Sequence, residues 1–154
     1  MKKVVRILLL VLVAIFIIIQ FIPYGKPSNQ PLAGKDLFEV TELPQDVGII
    51  LKNACYDCHS QKVKFPWYSN VAPVSWLVAR DIKEARENLD FSKWRDVSKK
   101  DKLKALDKIG EEVSEENMPM KIYTIMHAEA RLTKAERDIV VKWAEDFAEK
   151  VFEE

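Results

Sequence analysis

Hydrophobic positions fall along this chain in two patterns. From Val4 to Ile22 they are nearly continuous, broken only by Arg6 and Gln20. Further along they recur three and four residues apart, the spacing of one face of a helix. Val47, Ile50, Leu51 and Ala54 mark a first such helix, beginning near Pro44 and running directly into Cys55. Proline is tolerated in a first turn, where its missing N–H is not needed. Val74, Leu77, Val78, Ile82, Ala85 and Leu89 mark a second, from about Val74 to Leu89. Ser98 is a good N-cap for a third that buries Leu103, Leu106, Ile109 and Val113. Thr133-Lys134-Ala135-Glu136 has the capping-box pattern and opens a last helix with Ile139, Val140, Trp143, Phe147 and Val151 inward. The part beyond the first segment therefore reads as all-helical.

The continuous apolar segment has a different meaning. Nineteen helical residues reach about 28 Å, close to the thickness of a bilayer core. Lys2, Lys3 and Arg6 lie on its N-terminal side, so the positive-inside bias puts the N-terminus in the cytoplasm. The expectation is a single-pass anchor in the cytoplasmic membrane, with the rest of the chain on the periplasmic side. The competing reading is a cleaved secretory signal, but no A-x-A-like site follows Ile19. Residues 23–35 hold three prolines and two glycines with Ser28 and Asn29, the composition of a linker. The expected organisation is thus an anchor or signal at 1–22, a linker at 23–35 and one domain at 36–154.

The chain has 154 residues, with 24 basic and 24 acidic. Without Lys2, Lys3, Arg6 and Lys26 near the N-terminus, 20 basic face 24 acidic residues, near −4. A mildly acidic domain lacks the concentrated basic surface that nucleic acid requires.

The only two cysteines stand in Cys55-Tyr56-Asp57-Cys58-His59. This is C-x-x-C-H, the attachment sequence for a c-type haem. Thiols three residues apart project from one face of a helical turn, where both can add to the vinyl groups of one porphyrin. His59 then presents an imidazole nitrogen to the iron. A thioredoxin-like pair would need a βαβ surrounding, and none is evident. A structural zinc site usually recruits a second Cys or His pair, and only His127 remains. A disulfide across two intervening residues would be strained and leaves the histidine unexplained. The expected cofactor is one covalent haem c, on Cys55 and Cys58 with His59 as proximal iron ligand.

The other axial position decides function. Asn117-Met118-Pro119-Met120 falls between the third and fourth helices, and Pro119 stiffens the backbone at Met118. A thioether favours ferrous iron and raises the potential. Met118 is the expected sixth ligand; Met120 and His127 stand as alternatives, and ordinary methionine packing is the competing reading. Phe65-Pro66-Trp67-Tyr68 could wall a porphyrin or simply fill the core. Arg80, Arg86 and Arg131 are candidates for the haem carboxylates, or solvated charges on helix faces.

The blocks Ala54–Ser60, Phe65–Trp76 and Leu89–Trp94, with Met118-Pro119, His127 and the Trp143 helix, resemble the bacterial haem-binding domain family. The similarity covers about Asp36 to Phe152, and its blocks agree in order. It implies haem bound through Cys55, Cys58 and His59, and its Met-Pro pair maps to Met118 and Pro119. The segment Met120-Lys121-Ile122 departs from that pattern.

The fold class expected is all-α, a small cytochrome c-like helical domain behind one N-terminal transmembrane helix. The function expected is electron transfer by a membrane-tethered monohaem cytochrome with redox proteins as partners. No paired carboxylates or Ser/His arrangement indicates an enzyme. A five-coordinate haem that senses a gas or reduces peroxide is the alternative.

Overall fold

The computed structural model describes residues 1–30 and 33–153. Pro31 and Leu32 of the expected linker, and Glu154 at the end of the expected domain, lie outside the described residues. Among those described there is no strand. Eight α-helical segments follow in order: α1 (Lys2–Ile19), α2 (Leu37–Val40), α3 (Gln45–Ala54), α4 (Tyr56–His59), α5 (Val74–Asn88), α6 (Lys99–Ser114), α7 (Lys121–Met126) and α8 (Lys134–Glu153). Short 3₁₀ turns stand at Trp67–Asn70, Phe91–Asp96 and Ala128–Ala130.

The four expected helices are α3, α5, α6 and α8, and local chemistry sets their ends. Pro44 caps α3, and the Ser98 hydroxyl accepts from the Asp101 N–H at the start of α6. The Thr133 capping box forms in both directions. Glu136 Oε2 accepts from the Thr133 N–H at 2.7 Å, and the Glu136 N–H donates to Thr133 Oγ1 at 3.2 Å. At its far end α6 closes on a Schellman motif. Glu116 N–H donates to the Val113 carbonyl and Asn117 N–H to that of Glu112, with Glu116 left-handed at φ 59°.

α6 and α8 form the main helical pair, and α3 also lies against α8. Leu106 and Val113 of α6 meet Val140, Trp143, Ala144 and Val151 of α8, with Val47, Ile50 and Leu51 of α3 in the same core. Rings continue it: Trp143 on Phe147 at 5.7 Å, Phe147 on Trp94 at 5.8 Å, Trp94 on Phe91 at 6.4 Å, and Phe91 stacked on Tyr56 at 5.2 Å and 3°. Such pairs contribute about 0.5–1.5 kcal/mol each beyond the area they bury. In α5 the buried face is Ser75, Ala79 and Ile82. Val74, expected inward, is 42% exposed, because α5 packs on α4 and on the Trp67 turn rather than on the main bundle.

The N-terminal segment departs from expectation. The helix stops at Ile19 and contains Lys2, Lys3 and Arg6. Its uninterrupted apolar part, Ile7 to Ile19, is only about 20 Å long against a core of about 30 Å. No helix among the described residues is long and apolar enough to cross a membrane. The transmembrane helix is therefore corrected. So is the placement built on it: a single-pass anchor in the cytoplasmic membrane, N-terminus in the cytoplasm and domain on the periplasmic side. Residues 20–22 lie beyond the helix end, and Val4 and Val5 share their turns with Lys2, Lys3 and Arg6. After α1 the chain is tied along the domain. The Gln20 amide bonds both the N–H and the carbonyl of Ala72 (3.0 and 3.2 Å). Tyr24 Oη donates to the Ser69 carbonyl at 3.0 Å, and Asn29 exchanges two bonds with the Val63 backbone.

Two substitutions test the helix ends. Thr133→Ala removes the cap of α8 and should lower unfolding free energy by about 1 kcal/mol. Glu116→Gly removes the side chain from a left-handed position and should raise it by about 1 kcal/mol. Urea denaturation followed by circular dichroism reads both.

Candidate functional site

The C-x-x-C-H stretch is built as one isolated helical turn. α3 ends at Ala54, Cys55 leaves helical geometry at φ −122° and ψ −40°, and α4 begins at Tyr56. The Cys55 carbonyl then accepts from the N–H groups of both Cys58 and His59, at 3.2 and 2.9 Å. Both cysteines and the histidine are thereby held in a single turn, as their spacing implied.

Tyr56, between the cysteines, fixes that turn to the domain. Its ring lies flat on Phe91 and edge-on to Phe38 at 5.0 Å. Its hydroxyl donates to Asp36 Oδ1 at 3.1 Å. Asp36 is completely buried and fully engaged. Its carboxylate also accepts from the Phe38 N–H, Ser92 Oγ and Lys62 Nζ at 3.1, 3.1 and 3.2 Å. Ser92 Oγ in turn accepts from the Gln61 N–H, and the Gln61 amide donates to Asp90 at 2.7 Å. A buried polar network satisfied at every member rigidifies what it holds. Here it holds the residues on both sides of the motif. Burial, helped by the Asp36 charge, drives the Tyr56 hydroxyl pKa up, so it remains a donor.

His59 Nδ1 lies 3.1 Å from the Leu89 carbonyl. A carbonyl only accepts, so Nδ1 carries the proton and Nε2 has a free lone pair. Such a backbone acceptor fixes the tautomer of a metal-ligating histidine. Burial pushes the imidazole pKa down, which keeps the ring neutral.

The two thiols are free of each other. Burial pushes the Cys55 thiol up to about 12, with the neighbouring Cys58 charge adding to it. Burial pushes Cys58 up to about 11, with Asp57 and Asp81 adding. A thioredoxin-type pair requires the opposite shift. Among the described residues no three His, Cys, Asp or Glu side chains gather to hold a bare ion. The donor set suits a metal that arrives with its own equatorial ligands. Ser75 Oγ and Trp76 Nε1, both on α5, are buried donors without partners among the described residues. A group bearing carboxylates, as haem does, would satisfy such donors. The residues present fit a haem.

A family model described as "Haem-binding domain" matches residues 14–146. The chain belongs to the haem-binding domain family. No curated protein and no solved structure matches it.

The other residues singled out in this haem-binding domain have distinct places. Met118 is half-buried, with its N–H on the Glu112 carbonyl at 3.0 Å and its carbonyl on Arg137 Nη1 at 2.9 Å. Met120, also half-buried, caps α7. α7 is linked to the haem motif through Tyr123, whose hydroxyl donates to Asp57 Oδ2 at 3.0 Å. His127 has both ring nitrogens engaged. Nδ1 donates to Glu129 Oε1 at 3.0 Å, so Nε2 accepts from Tyr68 Oη at 2.6 Å, and the ring stacks on Tyr123 at 4.1 Å. Tyr68 thus belongs to this cluster, whereas Trp67 is 73% exposed. Arg80 pairs with Asp81 on the surface. Arg86 donates to the carbonyls of Ser60 and Ser28, and Arg131 to those of Thr124 and Ile125.

Sequence reasoning passed over Tyr56, Asp36, Ser92, Tyr123 and Arg137. Tyr56 is an unconstrained x of the motif, and Asp36 lies twenty residues upstream of it. No spacing pattern announces either.

The raised thiols make a pH prediction for protein prepared without haem. An acid whose pKa is raised by folding contributes stability below its ordinary value near 9, lost as pH climbs through 11 and 12. Iodoacetamide should therefore modify both cysteines far more slowly at pH 8.5 than in the urea-unfolded chain. The folded protein should lose stability above pH 9. Equal alkylation rates in folded and unfolded protein would contradict this.

Proposed function

We propose that this haem-binding domain carries one haem c and acts in electron transfer. Cys55 and Cys58 would carry the two thioether links, and His59 Nε2 and Met118 would hold the iron. The observation that carries the reading is the fixed tautomer of His59 beside two free thiols on one turn. The haem supplies the one-electron couple. The chain keeps the proximal imidazole neutral and oriented through Leu89, and the Tyr56–Asp36 pair holds the turn that bears it. A rigid setting suits this role, since little then has to move when the charge on iron changes. His127 is the weaker candidate for the distal ligand, because Tyr68 and Glu129 occupy both its nitrogens. Redox proteins are the partners proposed, by weak and transient contact.

Two measurements test this. After denaturation and extraction with acidified organic solvent, the colour should stay with the polypeptide; colour in the organic phase would refute covalent attachment. Carbon monoxide should bind the untouched ferrous protein slowly or not at all, and rapidly in Met118→Ala. Rapid binding to the wild type would favour the five-coordinate sensor or peroxide-reducing enzyme. A sulfur-to-iron charge-transfer band kept in Met118→Ala would move the ligand to Met120.

A further inference from the structure

Arg137 lies on the first turns of α8, well separated in sequence from the haem motif, and among the described residues its guanidinium pairs with no carboxylate. It is instead aimed at backbone. Nη1 donates to the carbonyl of Val113 at 3.1 Å and to that of Met118 at 2.9 Å. The first carbonyl belongs to the last turn of α6, where a cation meets the negative end of the helix dipole. The second belongs to the residue proposed as distal ligand.

The stretch between these carbonyls has little freedom. The Schellman closure at Glu116 reverses the chain, and the Met118 N–H returns to the Glu112 carbonyl at 3.0 Å. Met118 is therefore gripped at its N–H by α6 and at its carbonyl by α8. Five residues on, Tyr123 ties the same segment to Asp57, between the two haem cysteines. One end of the methionine segment is fastened to the helical pair and the other to the haem turn.

We infer that Arg137 is a positioning residue for the proposed iron ligand Met118, its guanidinium fixing the Met118 backbone by clamping the Met118 carbonyl to the end of α6. This rests on Met118 as sixth ligand. A lysine at 137 keeps the charge but replaces a planar fork with a point donor. A glutamine loses the charge and much of the reach. Loosening the clamp weakens the thioether against a competing ligand and leaves the proximal side unchanged.

The test is imidazole titration of the ferric holo-protein, read by loss of the sulfur-to-iron band, in wild type, Arg137→Gln, Arg137→Lys and Met118→Ala. Outer-shell partners of metal ligands typically contribute about 10–100-fold in affinity, so imidazole should bind Arg137→Gln at least about tenfold tighter than wild type. Arg137→Lys should fall between, and if the glutamine variant does not fold, tighter binding in the lysine variant carries the same meaning. A purely structural role as the α6 cap would lower the melting temperature and leave imidazole affinity unchanged; that result overturns the inference. If Met118→Ala keeps the band, the ligand assignment fails and takes this inference with it. If Met118→Ala loses the band while both Arg137 variants bind imidazole as wild type does, the inference alone fails.

Discussion

The burial of Tyr56 is the constraint on which the rest depends. The four-residue helix α4 that carries most of the C-x-x-C-H motif has one internal turn of hydrogen bonds and no hydrophobic stripe of its own, too little to persist alone. What holds it is the tyrosine between the cysteines, flat on Phe91 with its hydroxyl on a fully buried Asp36. A buried carboxylate costs several kcal/mol unless its oxygens are met, and here donors from four residues meet them. The orientation of the turn is therefore specified by the core, through the ring ladder that reaches Trp143 on α8. Cys55, Cys58 and His59 have the places left by that arrangement.

Two consequences bear on haem. The first is that His59 Nε2, the proposed iron ligand, is prepared in the protein itself. The Leu89 carbonyl accepts the hydrogen bond from Nδ1–H, and burial keeps the ring neutral, so no rearrangement is needed at His59. The second is that the opposite side is built differently. α7 buries none of its residues, and Ile122, Ile125 and Met126 are 57, 67 and 59% exposed. The segment bearing Met118 is located by polar ties at its ends, Arg137 on one side and Tyr123 on the other, rather than by a packed face. A core-anchored His59 and a tethered Met118 suit the ligand pair proposed above, with the imidazole permanent and the thioether tunable.

Much of the fold was legible because periodicity and capping are local. Thr133 and Glu136 are three residues apart, and their reciprocal hydrogen bonds depend on nothing distant. The C-x-x-C-H turn was legible for the same reason. The first segment was misjudged because hydropathy alone does not say where a helix stops. Gln20 stands at the C-cap of α1 with its side-chain amide on the Ala72 backbone, and the apolar helix ends there, short of a bilayer. On α5 the expected stripe is buried or half-buried except at Val74, because the helix packs on α4 and the Trp67 turn, and a periodic pattern gives a stripe without saying what covers it.

By itself the sequence determined the helices α3, α5, α6 and α8, the two thiols and histidine on one turn, and membership of a haem-binding family, since each follows from residues close together in the chain. Only the tertiary structure decided which nitrogen of His59 is free, that His127 is engaged by Tyr68 and Glu129, and that Arg137 grips Met118. Those depend on groups brought together from 19 to 59 positions apart, apart from the near-neighbour Glu129. A hydrogen bond between such groups exists only once packing has set their separation to a few tenths of an ångström.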